Sequence, residues 1–207
     1  MNWHERSDRE LLQASRAGHD DAARLLHARM APLLLGYARK ILHDRARADD
    51  AVQAAMLSIF RQPKGRIREV RDVRSWLVRL VRNEALMQLR TDRRAAAREE
   101  QHVRNATVRL RREQPEHEAL RDAVDALPVG LREVVVMKCV SGLTFEQMAE
   151  AMDENRNTIA SRYRTAIAKL RAALEEDEDV ERGAGEGPAR AEGGETSQKE
   201  TVSNDHA

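Results

Sequence analysis

The run Gly142-Leu143-Thr144-Phe145-Glu146-Gln147-Met148-Ala149-Glu150-Ala151-Met152-Asp153-Glu154-Asn155-Arg156-Asn157-Thr158-Ile159-Ala160-Ser161-Arg162-Tyr163-Arg164 decides how the chain is read. Thr144 is placed to cap a short helix whose buried face is Phe145, Met148, Ala149 and Met152. Ala149 falls where two helices would cross closely, which calls for a small side chain. After Asp153-Glu154-Asn155-Arg156, a second helix buries Ile159, Tyr163, Ile167 and Leu170. Its other side offers Asn157, Thr158, Ser161, Arg162 and Arg164, flanked by Arg156 and Lys169. A helix of this kind fits a major groove, where Arg pairs with guanine edges and Asn or Ser meets bases or phosphates. The same spacing also occurs in helical hairpins that never touch nucleic acid, so it leaves both readings open.

Upstream, the periodicity is helical throughout. Ser7 with Glu10 has capping-box spacing and opens a helix carrying Leu11, Leu12 and Ala14, which Gly18 ends. Asp20 is the expected cap of the next helix, which holds Ala22, Leu25, Leu26 and Met30. Pro32 should kink or restart it before Leu33, Leu34, Tyr37, Ala38, Ile41 and Leu42. Ala51, Val52, Ala55, Met56, Ile59 and Phe60 form one face of a third helix, broken at Gln62-Pro63-Lys64-Gly65. A charged loop is predicted over Arg66–Asp72, then a helix with Val73, Trp76, Leu77, Leu80 and Val81 on its apolar face. Leu120, Val124 and Leu127 form a short helix stopped by Pro128, and a further one runs from Leu131 to Val140.

These patterns predict an all-α fold of two small helical domains, 8–92 and 118–174, with a charged linker over 93–117 and a disordered acidic tail over 175–207. Aromatic residues make up only 3% of the 207, which suits bundles packed by Leu, Val, Ile and Ala. The net charge of +1 conceals a strong asymmetry. From Glu175 onward eleven acidic and three basic residues give −8, which leaves +9 on the rest. A basic body with an acidic tail points toward nucleic acid, since clustered Arg displaces phosphate counterions.

Other classes find little support. The seven histidines show no metal-binding spacing, and no glycine-rich phosphate loop or nucleophile elbow is present, so no cofactor, metal or catalytic residue is expected. The one cysteine, Cys139, reads as a packing residue of an apolar helix, and it fits a reducing compartment. No apolar stretch is long enough to span a bilayer, and Met1–Glu10 has no signal-peptide core, so no membrane role and a cytoplasmic place are expected.

Leu127-Pro128, Leu131-Arg132-Glu133-Val134 and Gly142–Glu150, continued by Asn157-Thr158-Ile159, Ser161-Arg162, Ala166 and Lys169-Leu170-Arg171, closely resemble region 4 of sigma factors. Asp153 departs from that pattern where a turn glycine is usual, and Glu154 where an apolar residue is. LuxR-type regulators share the likeness, so the N-terminal half decides. There, Asp8-Arg9-Glu10-Leu11-Leu12 and Ala17–Ala22 resemble the start of region 2 in extracytoplasmic-function sigma factors. Ser75-Trp76-Leu77, Arg82-Asn83-Glu84-Ala85-Leu86 and Leu89-Arg90 look like the helix of that region which engages the minus-ten element.

With both regions in order, the chain is identified as a member of the extracytoplasmic-function (group IV) sigma factors. The resemblance implies an alternative sigma factor that binds RNA polymerase core enzyme and directs promoter recognition, with an anti-sigma factor as a candidate further partner. An autonomous helix-turn-helix regulator is the competing reading. The resemblance implies core polymerase contacts at Asp49, Asp50 and Gln53, and minus-ten contacts at Arg66, Arg68, Arg71, Arg79, Arg82, Asn83 and Arg90. It further implies that the Arg66–Val73 segment holds a base flipped from the non-template strand, and that Thr144, Arg156, Asn157, Thr158, Ser161, Arg162, Arg164 and Lys169 meet the minus-thirty-five element. The residue chemistry agrees independently, because Arg79, Arg82, Asn83 and Arg90 share a broad helix face opposite the apolar stripe.

Overall fold

The computed structural model describes residues 2–99 and 118–185. Most of the expected linker and the segment after Gly185 lie outside the described residues. Among the described residues the chain is helical, without strands. Five helices form the N-terminal bundle: α1 (Asp8–Ala17), α2 (Asp20–Leu42), α3 (Arg45–Arg61), α4 (Lys64–Glu69) and α5 (Val73–Glu99). Four more form the second: α6 (Glu118–Ala126), α7 (Val129–Cys139), α8 (Phe145–Met152) and α9 (Arg156–Gly185).

The helix ends follow local chemistry. Ser7 Oγ accepts from the Glu10 amide at 3.3 Å, and the Ser7 amide donates back to Glu10 Oε2 at 2.9 Å. That amide, together with Arg6, draws the Glu10 carboxyl down to about 2. Gly18 closes α1 at φ 96°, a left-handed conformation that glycine adopts without a Cβ penalty. Thr144 and Gln147 make a second capping box at the start of α8. Asp20 is not a cap; His19 holds the cap position of α2 without a side-chain hydrogen bond.

Pro32 does not divide α2, which runs unbroken for 23 residues. Leu26, Met30, Leu34, Tyr37 and Ile41 are buried along its length, while Pro32 sits on the exposed side. The missing hydrogen bond is therefore lost toward water, where the orphaned carbonyl can be solvated. The predicted charged loop is in part a helix, α4, because Ile67 is buried beneath the arginines. Asp72 then accepts from the Ser75 amide at 2.6 Å and caps α5. Cys139 is exposed, which corrects its reading as a packing residue: the buried side of α7 carries Glu133 to Met137, and the helix has turned Cys139 away. α5 continues to Glu99 and α9 to Gly185, beyond the limits that the apolar pattern gave.

Truncating Leu34, which is wholly buried, to Ala should cost about 2–5 kcal/mol of unfolding free energy. Ser7→Ala should cost only about 1 kcal/mol, the worth of a cap. Urea unfolding followed by circular dichroism measures both, and equal effects would contradict this placement of the core.

Candidate nucleic-acid interface

The helix-turn-helix unit is built from α8 and α9. Met148 and Ile159 are fully buried between them, and Phe145 meets Tyr163 edge to face at 5.6 Å. Asp153 occupies the turn at φ 56°, so it takes the left-handed conformation that a glycine there would supply. Glu154, where an apolar residue would be usual, is partly buried and holds Arg162 at 2.7 Å. Arg162 is therefore on the flank of α9. Thr144, Asn157, Thr158, Ser161, Arg164 and Lys169 are exposed, and Asn157, Ser161 and Arg164 lie opposite the buried Ile159, Ala166 and Leu170. Arg156 is exposed and ion-paired to Glu146, whose carboxyl is drawn down by backbone hydrogen bonding and then by Arg156.

In the first bundle Arg66, Arg68 and Arg71 are exposed around α4, with Arg9 donating to the Arg68 carbonyl at 2.9 Å. On α5, Asn83 and Arg90 are exposed and Trp76 is half-buried. Arg79 and Arg82 are not free. Arg79 lies 3.8 Å from Asp153, and Arg82 Nε donates to Glu133 Oε1 at 2.8 Å. Each contact joins the first bundle to the second.

Asp49 and Gln53 border a groove of about 770 Å³ between α2 and α3, which Leu35, Met56, Leu57 and Phe60 help to line. Leu57 is 51% and Phe60 46% exposed, a large apolar area for a protein surface. Asp49 also lies 3.4 Å from Arg39. Asp50 faces a different concavity, shared with Arg47 and Met87, so the three candidate residues do not form one surface. The groove was not legible in the sequence, which put Phe60 on one face with Ala51, Val52 and Ile59; those three are buried, but Phe60 is exposed beside Leu57.

Comparison with known proteins follows the same division. Residues 26–95 match Sigma-70 region 2, and residues 117–170 match Sigma-70 region 4. The ECF RNA polymerase sigma factor SigM of Mycobacterium tuberculosis is 36% identical over 173 residues, covering 83% of this chain and 86% of that protein. The chain belongs to the ECF RNA polymerase sigma factors. CarQ of Myxococcus xanthus, an RNA polymerase sigma factor, is 29% identical over 168 residues, which is 80% of this chain and 96% of that one. The fold of this sigma factor resembles RpoE of Bartonella quintana, solved with the anti-sigma factor NepR, at a TM-score of 0.63 and 21% identity over 73% of this chain and 96% of that one. It also resembles CnrH, solved with the cytosolic domain of CnrY, at 0.60 and 23% over 82% and 98%. No helix among the described residues is long and apolar enough to cross a membrane.

What the sequence did not announce is how region 4 of this sigma factor seats on region 2. Glu133 is the only buried carboxylate among the described residues; it takes Arg82 on one side and accepts from Tyr37 Oη at 3.0 Å on the other. Tyr37 is buried, and burial with the adjacent carboxylate pushes its phenol well up, so it remains a donor. For Arg82, burial opposes the charge but Glu133 holds the guanidinium pKa up. The one available signal was a lone acid inside the run Leu131–Val136.

A second junction lies at the end of α2. His43 stands at φ 54°, with Nδ1 3.7 Å from Asp125 and Nε2 against the Arg132 guanidinium. Burial lowers its pKa below 6.5, with Arg132 and Lys40 acting the same way against Asp125. The folded chain thus binds this proton less readily than the unfolded one. Stability is intact above the unfolded value and falls as pH drops through the folded one. The urea midpoint should fall between pH 7.5 and pH 5, and His43→Gln should reduce that fall; an equal fall in the variant would contradict the assignment.

Proposed function

We propose that this sigma factor recruits core polymerase through the α2–α3 groove, with Asp49 and Gln53 at its border, and reads promoters with two separate faces. Two matched regions in the order of the family, on one chain, carry this reading. It disfavours an autonomous operator-binding regulator, which would have no use for a region 2. The work assigned here is binding, with no catalytic residue of the chain's own.

For the minus-thirty-five element, the exposed face of the N-terminal part of α9 supports Asn157, Ser161 and Arg164 as groups that reach base edges. Thr158, Arg156 and Thr144 flank that face, where phosphates would fix register. Arg162 would first have to leave Glu154, so its role is to follow docking rather than to lead it. For the minus-ten element, Arg66, Arg68 and Arg71 around α4, and Arg79, Arg82, Asn83 and Arg90 on α5, supply the cations and the amide for an unstacked strand. Capture of an unpaired base offsets the cost of melting, so opening needs no nucleotide hydrolysis. An anti-sigma factor is a further partner in this reading, because the similar chain RpoE of Bartonella quintana was solved in complex with the anti-sigma factor NepR.

Transcription with reconstituted core enzyme on genomic fragments tests the function. Discrete start sites that depend on this chain are expected, whereas binding of the same fragments by the free chain alone would favour the autonomous regulator. Within that assay, Arg164→Ala should cost about 1–3 kcal/mol at a matched upstream element and relax preference at one or two positions. Lys169→Ala should weaken all sequences alike and shallow the salt dependence by about one counterion. Uniform loss with Arg164→Ala would place the base-reading group elsewhere on α9.

A further inference from the structure

The turn of the helix-turn-helix closes α8 with a Schellman arrangement. The Asp153 amide donates to the Glu150 carbonyl at 3.4 Å, and the Glu154 amide donates to the Ala149 carbonyl at 3.0 Å. In that arrangement the residue after the left-handed one commonly makes an apolar contact back onto the helix. Here the place belongs to Glu154, whose side chain is 27% exposed. A carboxylate so sheltered needs a partner, and Arg162 Nη1 donates to its Oε1 at 2.7 Å. The backbone of the turn thus fixes the acid, and the acid fixes the arginine.

Three arginines lie in the first three turns of α9, and they are not equivalent. Arg156 pairs with Glu146 and Arg162 with Glu154, whereas Arg164 has neither an ion pair nor a hydrogen-bonding side-chain partner among the described residues. The Arg156 pair is open to water on both sides, so DNA can exchange it at little cost. The Arg162 pair is the sheltered one. By position Arg162 belongs with Thr158, four residues before it, and Lys169, seven after it. That stripe flanks the face of Asn157, Ser161 and Arg164, on the side where a groove-bound helix meets phosphates.

We propose that Glu154 is a positioning residue of the minus-thirty-five reader, which withdraws Arg162 from the phosphate backbone and leaves Asn157, Ser161 and Arg164 to hold the element. The inference rests on the assignment of that face made above. A paired Arg162 brings no net charge to the DNA, so the upstream contact releases about one counterion fewer than a free arginine would allow. Phosphate contacts add grip without sequence information, whereas base contacts add both. This chain gives up grip and keeps discrimination, at the turn position where it carries an acid in place of an apolar residue.

The test is holoenzyme binding to fragments with a fixed minus-ten element and a varied minus-thirty-five element, at several salt concentrations. Glu154→Gln keeps the shape and an acceptor but loses the charge. Glu154→Leu supplies the apolar side chain that such turns commonly carry, so the fold is kept, as circular dichroism will show. Each variant should bind every fragment tighter by on the order of tenfold at 0.1 M salt, with the salt dependence steeper by about one counterion and the order of preference unchanged. Adding Arg162→Ala to either should remove the gain. Asp153→Asn is the control: it removes an equal charge one residue away, from a side chain 84% exposed, and Asn suits the left-handed backbone. Salt screens that charge, so affinity should shift by less than about twofold.

A pair with a merely structural role would move the urea midpoint and leave the salt dependence alone. Unchanged affinity and salt dependence in both Glu154 variants, or an equal gain from Asp153→Asn, therefore overturns the proposal. Glu154 also favours the charge on Arg82, and a gain that survives Arg162→Ala would belong to that residue and overturn it too. Arg164→Ala judges the underlying reading. Relaxed preference in that variant beside inert Glu154 variants refutes the positioning role alone, whereas retained preference removes α9 from the element and the positioning role with it.

Discussion

The Glu133 carboxylate is the constraint on which the arrangement of the two regions depends. A charge taken from water at such depth is tolerated only when paired and hydrogen-bonded, and here both partners come from the other bundle. Among the described residues, the hydrogen-bond partners of Glu133 are Arg82 and Tyr37, and region 4 supplies neither. Deleting one member of such a pair typically costs about 3–5 kcal/mol, because the other is left buried and unpaired. The pair thereby fixes where α7 crosses α2, and Gly36 lets it cross that closely.

From that junction the rest follows by geometry. With α7 held against α2, α8 comes to rest on the start of α5, where Asp72 serves both the Ser75 amide and Gln147. Two hydrogen bonds to it, with Arg74 nearby, keep the Asp72 carboxyl lowered in spite of its burial. The recognition helix α9 is left facing outward, and the groove between α2 and α3 stays open on the far side.

Local chemistry was legible from the residues alone. Ser7 with Glu10, Gly18, and Thr144 before an apolar helix each act within a few positions, so their roles survive any tertiary arrangement. The apolar periodicity likewise placed the helix-turn-helix and the long faces of α2, α3 and α5. What escaped were outcomes that packing decides. Pro32 stays inside a helix because its neighbours are buried and it is not; Ile67 turns a charged stretch into α4; and Cys139 lies outside because Val134 to Met137 take the core. The same holds for the site. Asn157, Ser161 and Arg164 were predictable as an exposed face, whereas Arg82 and Arg162 were already engaged by Glu133 and Glu154, partners that no helical wheel of their own element contains.

The most direct measurement of the central claim is the coupling between Arg82 and Glu133 in the free chain. A double-mutant cycle with Arg82→Met, Glu133→Gln and the pair, read by urea unfolding, isolates that interaction from the separate cost of each change. A buried pair joining the two regions predicts a coupling of about 2 kcal/mol or more, with the double variant losing much less than the sum of the singles. Additivity within about 0.5 kcal/mol would mean that the two side chains do not meet, and that region 4 is not held on region 2 in the way described.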